Sequence, residues 1–434
     1  MFEWYRKGTR DEKRTFWSCY FGWALDSYNT QIFSFLVPTL IATWSLTKGA
    51  AGAIGTASLI STAIGGWLAG VLSDRIGRVK VLMLTVVWFT GFGVLAGFAQ
   101  SYEQMIAARA LQGIGFGGEW AVGAALMAEV TRPQYRGRAM GFVQSGFCLG
   151  WVVAALTASV ALAYFPPDVG WRAVFWVSAA PGMLTILVRL GVRDSELFRK
   201  TVLGGQIKKA TIGSVFERGI FGKCSVASCM VFGLQAAGYV LIVWIPSLLA
   251  EKGVRSGSMI SSIGCMAVGA FFGFVVGSSM SDAFGRRKTL ISMVVGSLVV
   301  TLIYIFAPLT SALILPLGAL LGFFSLGVFA AVGPFLSELF PTSVRTTCMG
   351  FTYNVAKTIA ALMIAGVGAV SAKTGLATAV GLCCFGAYAI SIIALLFLPE
   401  TKGTRLESVG GDTKESMLDA IHSSPADPHV ARRH

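Results

Sequence analysis

Long apolar stretches separated by short polar joints run along almost the whole chain. Residues 16–36, 81–99, 224–250 and 290–306 are examples, each close to the roughly 20 residues that a helix needs to cross a bilayer. Lipid offers no partner to backbone N–H and C=O groups, so each stretch must be a helix. A barrel needs short alternating strands, and no such alternation occurs. The pattern predicts twelve spans, at 16–40, 51–72, 81–99, 104–129, 139–163, 171–192, 224–250, 257–280, 289–306, 310–337, 346–370 and 375–398. The expected layout is an N-terminal tail at 1–15, a six-helix bundle at 16–192, a polar connector at 193–223, a second bundle at 224–398 and a polar, mobile tail at 399–434.

Composition agrees with an all-α integral membrane protein: 55% of the 434 residues are hydrophobic and 13% are charged, against about a quarter charged in soluble domains. The formal net charge of +14 raises nucleic acid as a partner, and its placement removes it. Of the 35 Lys and Arg, 27 fall in the tails and joints of one side, 5 on the opposite side, and Arg109, Arg189 and Lys357 within spans. Basic residues collect on the cytoplasmic side of short loops, so the expected location is the inner membrane with both termini in the cytoplasm. The charged start at residues 1–14 lacks the features of a cleavable signal. The three histidines, His422, His429 and His434, all lie in the tail, and the eight cysteines, Cys383 and Cys384 included, read as small apolar fillers, so no metal site is expected.

The chain repeats itself. Gly70-Val71-Leu72-Ser73-Asp74-Arg75-Ile76-Gly77-Arg78-Val79-Lys80 follows the second span, and Asp282, Gly285, Arg286 and Lys288 follow the eighth at an offset of 208. Glu129, Pro133, Arg136 and Gly141 return as Glu338, Pro341, Arg345 and Gly350, 208 to 209 residues later. Two motifs at one offset mark two related halves. Gly77 and Gly285 permit a tight turn. Asp74 is placed to meet helix N-terminal amides or a neighbouring Arg where span ends converge. Together these residues read as a latch that forms and breaks as the halves rock.

Residues 70–80, with Arg109-Ala110-Leu111-Gln112-Gly113-Ile114-Gly115 and Pro399-Glu400-Thr401-Lys402-Gly403, resemble the signatures of the major facilitator superfamily over residues 15–400. The resemblance implies two six-helix bundles around a central cavity that opens to each side in turn. Ala24-Leu25-Asp26-Ser27-Tyr28-Asn29 and Gly117-Gly118-Glu119-Trp120 look like the sialate:proton symporters and their metabolite and aromatic-acid relatives. Tyr353-Asn354-Val355-Ala356-Lys357 matches an eleventh-span motif, with Lys357 where relatives often carry Arg and Asn29 where they commonly have a second Asp. The resemblance also implies a pair between an Asp on the first span and an Arg on the fourth, positions that Asp26 and Arg109 occupy.

An ionisable residue inside a span costs about 2.5–3.5 kcal/mol on insertion scales, and so needs a partner or a task. Asp26, Arg109, Glu119 and Lys357 qualify; Arg189, near a span end, reads as a snorkelling anchor. At 1.5 Å per residue Asp26 lies about 15 Å into the membrane, and Arg109 about 7 Å further along the axis, within reach of a long side chain. Asp26 is therefore the candidate carrier of a coupling proton with Arg109 as partner, and Glu119, deeper in the same bundle, is its rival. With Asp26 protonated, Arg109, Lys357 and Glu119 sum to +1, which suits a carboxylate substrate held partly by Lys357. Asn29, one turn from Asp26, and Gln144, Gln235, Tyr239 and Asn354 supply hydrogen-bonding groups, with Trp120 and Phe324 as walls. Gly113-Ile114-Gly115-Phe116-Gly117-Gly118 fits a dinucleotide fingerprint, but without a preceding strand it reads as close helix packing. No activated nucleophile or metal cluster lies in the spans, which argues against an enzyme. The expected function is proton-driven uptake, by a monomer without cofactors, of a small organic anion: a sialic-acid-like sugar acid, a monocarboxylate or an aromatic acid. A neutral-solute or multidrug carrier and a transporter-like sensor are the alternatives.

Overall fold

The computed structural model describes residues 3–199, 211–253, 256–307 and 311–404. Twelve membrane-length helical units follow in order: α1 Arg10–Trp44, α2 Lys48–Ile76, α3 Arg78–Ala96, α4 Tyr102–Val130, α5 Arg136–Tyr164, α6 in two pieces (Pro167–Val177 and Ala179–Arg189), α7 Phe221–Glu251, α8 Ser256–Phe284, α9 Arg286–Phe306, α10 in two pieces (Ser311–Ser325 and Phe329–Leu339), α11 Arg345–Thr374 and α12 Leu376–Phe397. The expected continuous spans at 171–192 and 310–337 are thus each broken, at Ser178 and at residues 326–328. Among the described residues ten units are long and apolar enough to cross a membrane. α1 and α4 are not among these ten, because polar residues such as Ser27, Asn29 and Gln31 on α1 and Arg109, Gln112 and Glu119 on α4 lower their mean hydropathy.

Local chemistry fixes the helix starts. Thr9 and Glu12 form a reciprocal capping box on α1, and the side chains of Thr47 and Ser101 cap α2 and α4, satisfying amides that have no intrahelical partner. Gly77 and Gly285 join α2 to α3 and α8 to α9 at φ of 115° and 105°, a region that side-chain-bearing residues rarely enter. α1 starts at Arg10, ahead of the expected span, and Trp4 packs on Phe16 and Phe142. The segment 200–210 of the connector and the tail 405–434, with its three histidines, lie outside the described residues.

The halves pack alike. α1 lies against α5 and α2 against α4; six helices later, α7 lies against α11 and α8 against α10. The halves meet through α2 on α11 and α5 on α8. Gly141 brings α5 onto α8 so closely that an added Cβ would stand 2.1 Å from the Ser278 Cβ.

At the end bearing the repeated motifs, each half caps the other. The Asp74 carboxylate at the end of α2 accepts from the backbone N–H (2.8 Å) and hydroxyl (2.7 Å) of Thr347, in the first turn of α11. Asp282, at the end of α8, accepts from the N–H groups of Gly137 and Arg138, both at 2.9 Å, in the first turn of α5. Arg78 pairs with Asp74 (3.0 Å) and Glu129 (3.1 Å), and Arg345 of the other half reaches the same Glu129 oxygen at 2.8 Å. In the mirror arrangement Arg286 pairs with Asp282 and Glu338, both at 3.0 Å, and Arg136 crosses to Glu338 at 3.4 Å. The repeat extends to backbone acceptors: Arg78 and Arg286 each donate at 2.8 Å to the carbonyl five residues earlier, at Ser73 and Ser281. Glu400 binds the N–H groups of Arg286 and Arg287, and the Thr401 hydroxyl donates to Glu338. The expected mobile tail is therefore fastened at its start. Arg75 is exposed beside this network.

Each cross-half cap joins a carboxylate of one half to a helix N-terminus of the other. The double variant Asp74→Ala/Asp282→Ala is expected to move the population away from this closed arrangement. Spin labels on α2 and α11 at the motif end should report a longer inter-half distance; an unchanged distribution would show that closure does not rest on these caps.

Candidate functional site

Polar residues shut out of lipid gather at mid-height between the halves. A cavity of about 300 Å³ opens there, lined among others by Trp23, Asp26, Thr30, Gln31, Phe33, Ser34, Ser58, Thr62, Arg109, Gln144, Gln235, Tyr239, Tyr353 and Lys357. Its size matches sites for small molecules. Asp26, Thr30 and Ser34 recur at four-residue spacing on α1, Ser58 and Thr62 on α2, and Tyr353 and Lys357 on α11, which sets each group on one helix face. Phe116, Phe147, Phe274 and Phe329 add aromatic walls.

Asp26 is 5% exposed, and its Oδ1 is buried without a hydrogen-bond partner among the described residues. The charges within its electrostatic reach are Lys357 and Glu119. The expected Asp26–Arg109 pair is not formed. Arg109 instead lies over the ring of Phe33 at 4.6 Å and donates Nη1 to Gln112 Oε1. Phe33 is seven residues beyond Asp26, about 10 Å along the helix, so the guanidinium sits about two turns away. An axial estimate cannot see this, because the side chain extends along its own helix rather than across the gap. Lys357 opens onto the cavity with no ion pair or hydrogen bond among the described residues, and is the cation electrostatically coupled to Asp26.

Glu119, the rival candidate, does not line the main cavity. Arg189 is not a snorkelling anchor: it is buried and clasps Glu119 through both Nη atoms, with further bonds to the Leu82 carbonyl (2.6 Å) and Ser18 Oγ (3.3 Å). Thr85 Oγ1 also donates to Glu119, at 3.3 Å. The inner piece of α6 turns Arg189 into the bundle, where a carboxylate in a weakly screening interior holds it better than the lipid boundary does. Glu119 therefore belongs to a neutral pair, and the charge balance of the cavity is that of Asp26, Arg109 and Lys357. A second void of about 20 Å³, lined by Trp23, Glu119, Trp120 and Gln144 among others, lies beside this pair.

Of the softer candidates, Gln144, Gln235 and Tyr239 line the cavity. Gln235 donates to the Tyr353 carbonyl (3.1 Å), and its Oε1 has no partner among the described residues. The others do not line it. Asn29 donates to the Leu25 carbonyl and accepts from Gln112, because three residues turn it about 60° away from Asp26, toward α4. Asn354 bridges α11 to the Gly117 carbonyl of α4 at 3.1 Å. Trp120 stacks on Tyr353 at 3.7 Å and donates to Gln144, forming a floor below the cavity rather than a wall. Phe324 is turned onto Gly296 of α9. Thr30, Gln31, Ser34, Ser58 and Thr62 were missed. The available signal was polar residues at four-residue spacing within apolar spans. No cluster suited to a metal ion occurs among the described residues.

Two bundles that cap each other at one end and enclose a charged cavity at mid-height define a polytopic membrane carrier rather than an enzyme. The chain belongs to the Major Facilitator Superfamily, whose family model matches residues 19–365. It is 50% identical over 428 residues, 99% of this chain and 98% of the relative, to a protein described as a probable 4-methylmuconolactone transporter of Cupriavidus pinatubonensis. It is 26% identical over 363 residues, 82% of this chain and 86% of the relative, to the sialic acid transporter NanX of Escherichia coli. Among solved structures it resembles the proton:xylose symporter XylE bound to 6-bromo-6-deoxy-D-glucose, with a TM-score of 0.75 and 19% identity over 95% of this chain and 99% of that one.

Removing one member of a buried ion pair strands the other and costs about 3–5 kcal/mol, whereas replacing both with apolar groups is often neutral. Glu119→Gln should therefore lower the melting temperature of the purified carrier, and Glu119→Leu/Arg189→Met should recover most of the loss. Equal melting of the wild type and Glu119→Gln would remove the pair from the stabilising framework.

Proposed function

We propose that this protein imports a small organic acid together with protons by alternating access, as a monomer in the inner membrane with both termini in the cytoplasm. The single observation that carries the reading is the cavity's charge balance. With Asp26 ionised, Asp26, Arg109 and Lys357 sum to +1; with Asp26 protonated, they sum to +2. Protonation therefore raises the attraction for an anion, and by reciprocity a bound anion raises the affinity for the proton. The two ligands therefore favour each other's binding, which suits cotransport in one direction. The counterpart groups near Asp26 are Lys357 and Glu119, with Tyr239 and Tyr353 also within electrostatic range.

Several observations support this reading. The relatives' names, a muconolactone and sialic acid, both denote organic acids. The aromatic lining favours a compact ring acid of the muconolactone kind over a bulky polyhydroxylated one. The strong bias of basic residues to the motif end supports the orientation. Capping at that end leaves the opposite face as the proposed route to the cavity, which supports reading the arrangement as the outward-facing stage and the motif network as the inner latch.

The test is proteoliposome uptake of 4-methylmuconolactone, sialic acid and xylose under an imposed pH gradient. Accumulation of an acid, driven by external acidity, is expected; uptake of xylose with no acid would overturn the reading. Asp26→Asn should bind and exchange the acid but lose gradient-driven accumulation. In the wild type, affinity for the anion should rise as pH falls through the titration of Asp26, by about tenfold for a coupling near 1.4 kcal/mol, and it should be flat in Asp26→Asn. Accumulation retained in Asp26→Asn would remove this carboxyl from the coupling.

A further inference from the structure

Among the described residues, no carboxylate pairs with Arg109. Its side chain is 3% exposed, and it has no ion pair among the described residues. Lys357, the other cavity cation, shares electrostatic range with Asp26; Arg109 has only the face of Phe33 and the neutral amide of Gln112. A cation–π contact contributes about 2 kcal/mol at best when desolvated, well short of the cost of an isolated buried ion. Buried charges are normally paired or bind ligands, and this one borders the cavity.

The guanidinium is also oriented. Nη1 is held by Gln112 Oε1. The Gln112 amide group donates to Asn29 Oδ1 at 3.5 Å, and the Asn29 amide group donates to the Leu25 carbonyl at 3.0 Å. Each donor in this chain meets an acceptor, so the polarity of both amides is set and the Gln112 oxygen faces Arg109. Only Nη1 has a partner among the described residues, and Nε is buried with none. Nη2 carries no protein partner and is not among the buried orphan atoms, so it is the donor left for a ligand, and the adjoining Nε lets a carboxylate be taken through two parallel hydrogen bonds. The relay contains no carboxylate, because position 29 is Asn and position 112 is Gln, so Arg109 faces the cavity with its full charge.

We infer that Arg109, held in place by Gln112, is the anchor for the carboxylate of the transported acid, and that Lys357 acts chiefly as the counter-charge of Asp26. This rests on the proposal that the substrate is an organic acid, and it deepens that proposal by separating the recognition cation from the coupling cation. Phe33 and Phe116 border the same cavity, and so place apolar surface beside the anchored carboxylate.

The discriminating variant is Gln112→Glu. It keeps the length and the acceptor oxygen that position Arg109, and adds a carboxylate that neutralises it. A positioning role alone survives this change; an anchoring role does not. With purified protein in detergent at fixed pH and 4-methylmuconolactone as the probe, Gln112→Glu is expected to raise Kd at least tenfold while leaving the melting temperature equal or higher. Arg109→Gln should raise Kd by about 30-fold or more, the counterpart of losing one partner from a buried charged pair. Lys357→Gln should change Kd less than Gln112→Glu does. An unchanged Kd in Gln112→Glu, or a larger loss in Lys357→Gln, would overturn the assignment. If the wild type binds neither 4-methylmuconolactone nor sialic acid but does bind xylose, the organic-acid reading fails, and the anchor with it. An acid-binding wild type indifferent to Gln112→Glu sinks the anchor alone.

Discussion

The arrangement depends on two carboxylates that each cap a helix of the opposite half. Asp74 holds the first turn of α11, and Asp282 holds the first turn of α5. A helix N-terminus carries unsatisfied N–H groups and a partial positive charge, so a carboxylate suits it wherever water is excluded. The carboxylates are themselves tied to Arg78 and Arg286, and Glu129 and Glu338 cross-brace the halves through Arg345 and Arg136. All of these side chains are buried, and although Arg78 and Arg286 are paired within their own halves, the carboxylates gain their remaining partners only while the halves touch. Water can replace those cross-half partners once it enters, which suits the proposed latch.

Closure at that end is what gives the mid-height cavity its floor. Below Asp26 the stacked rings of Trp120 and Tyr353 join α4 to α11, and the Asn354 side chain ties the same two helices through the Gly117 carbonyl. The neutral Glu119–Arg189 pair stands beside this floor, inside the N-terminal half. The unpaired charges are therefore gathered in the cavity, and the charges of the framework are neutralised beside it. The separation leaves Asp26 outside the structural pair, although Glu119 remains within its electrostatic range.

Much of this was legible in the residues. The offset of 208 gave the two halves, the chemistry of Asp74 gave its dual attachment to amides and Arg, and the demand for left-handed turns picked out Gly77 and Gly285. The depth of Asp26 and Lys357 in apolar spans placed both at the cavity. What failed was azimuth. Residue spacing gives height along a helix and relative angle, but which neighbour a face meets depends on helices distant in sequence. Asn29, Asn354 and Phe324 have the right height and point elsewhere. Arg189 failed for a related reason: distance from the span end said that it could snorkel, whereas a carboxylate on another helix decided that it would not. The polar residues Thr30, Ser34, Ser58 and Thr62 gave the missing angle, since a stripe of them marks the wet face of a span.

The two cavity cations differ in a way that bears on how transport can be coupled at all. A cation already engaged with Asp26 changes its electrostatic environment whenever the proton comes or goes; Lys357 stands in that position. A cation held about two turns away by neutral amides does not, and Arg109 stands there. If a single cation both balanced the proton carrier and held the substrate, ionisation of the carboxyl would compete directly for the substrate's site, and transport would tend toward exchange. In the proposed scheme the tasks are divided, and deprotonation would weaken anion binding through the cavity's field rather than by displacement. The anion would then remain bound through the rocking of the halves and be released once the proton had left. The neutral relay of Asn29 and Gln112 supports this division, since with no carboxylate in it Arg109 would keep its charge for the ligand.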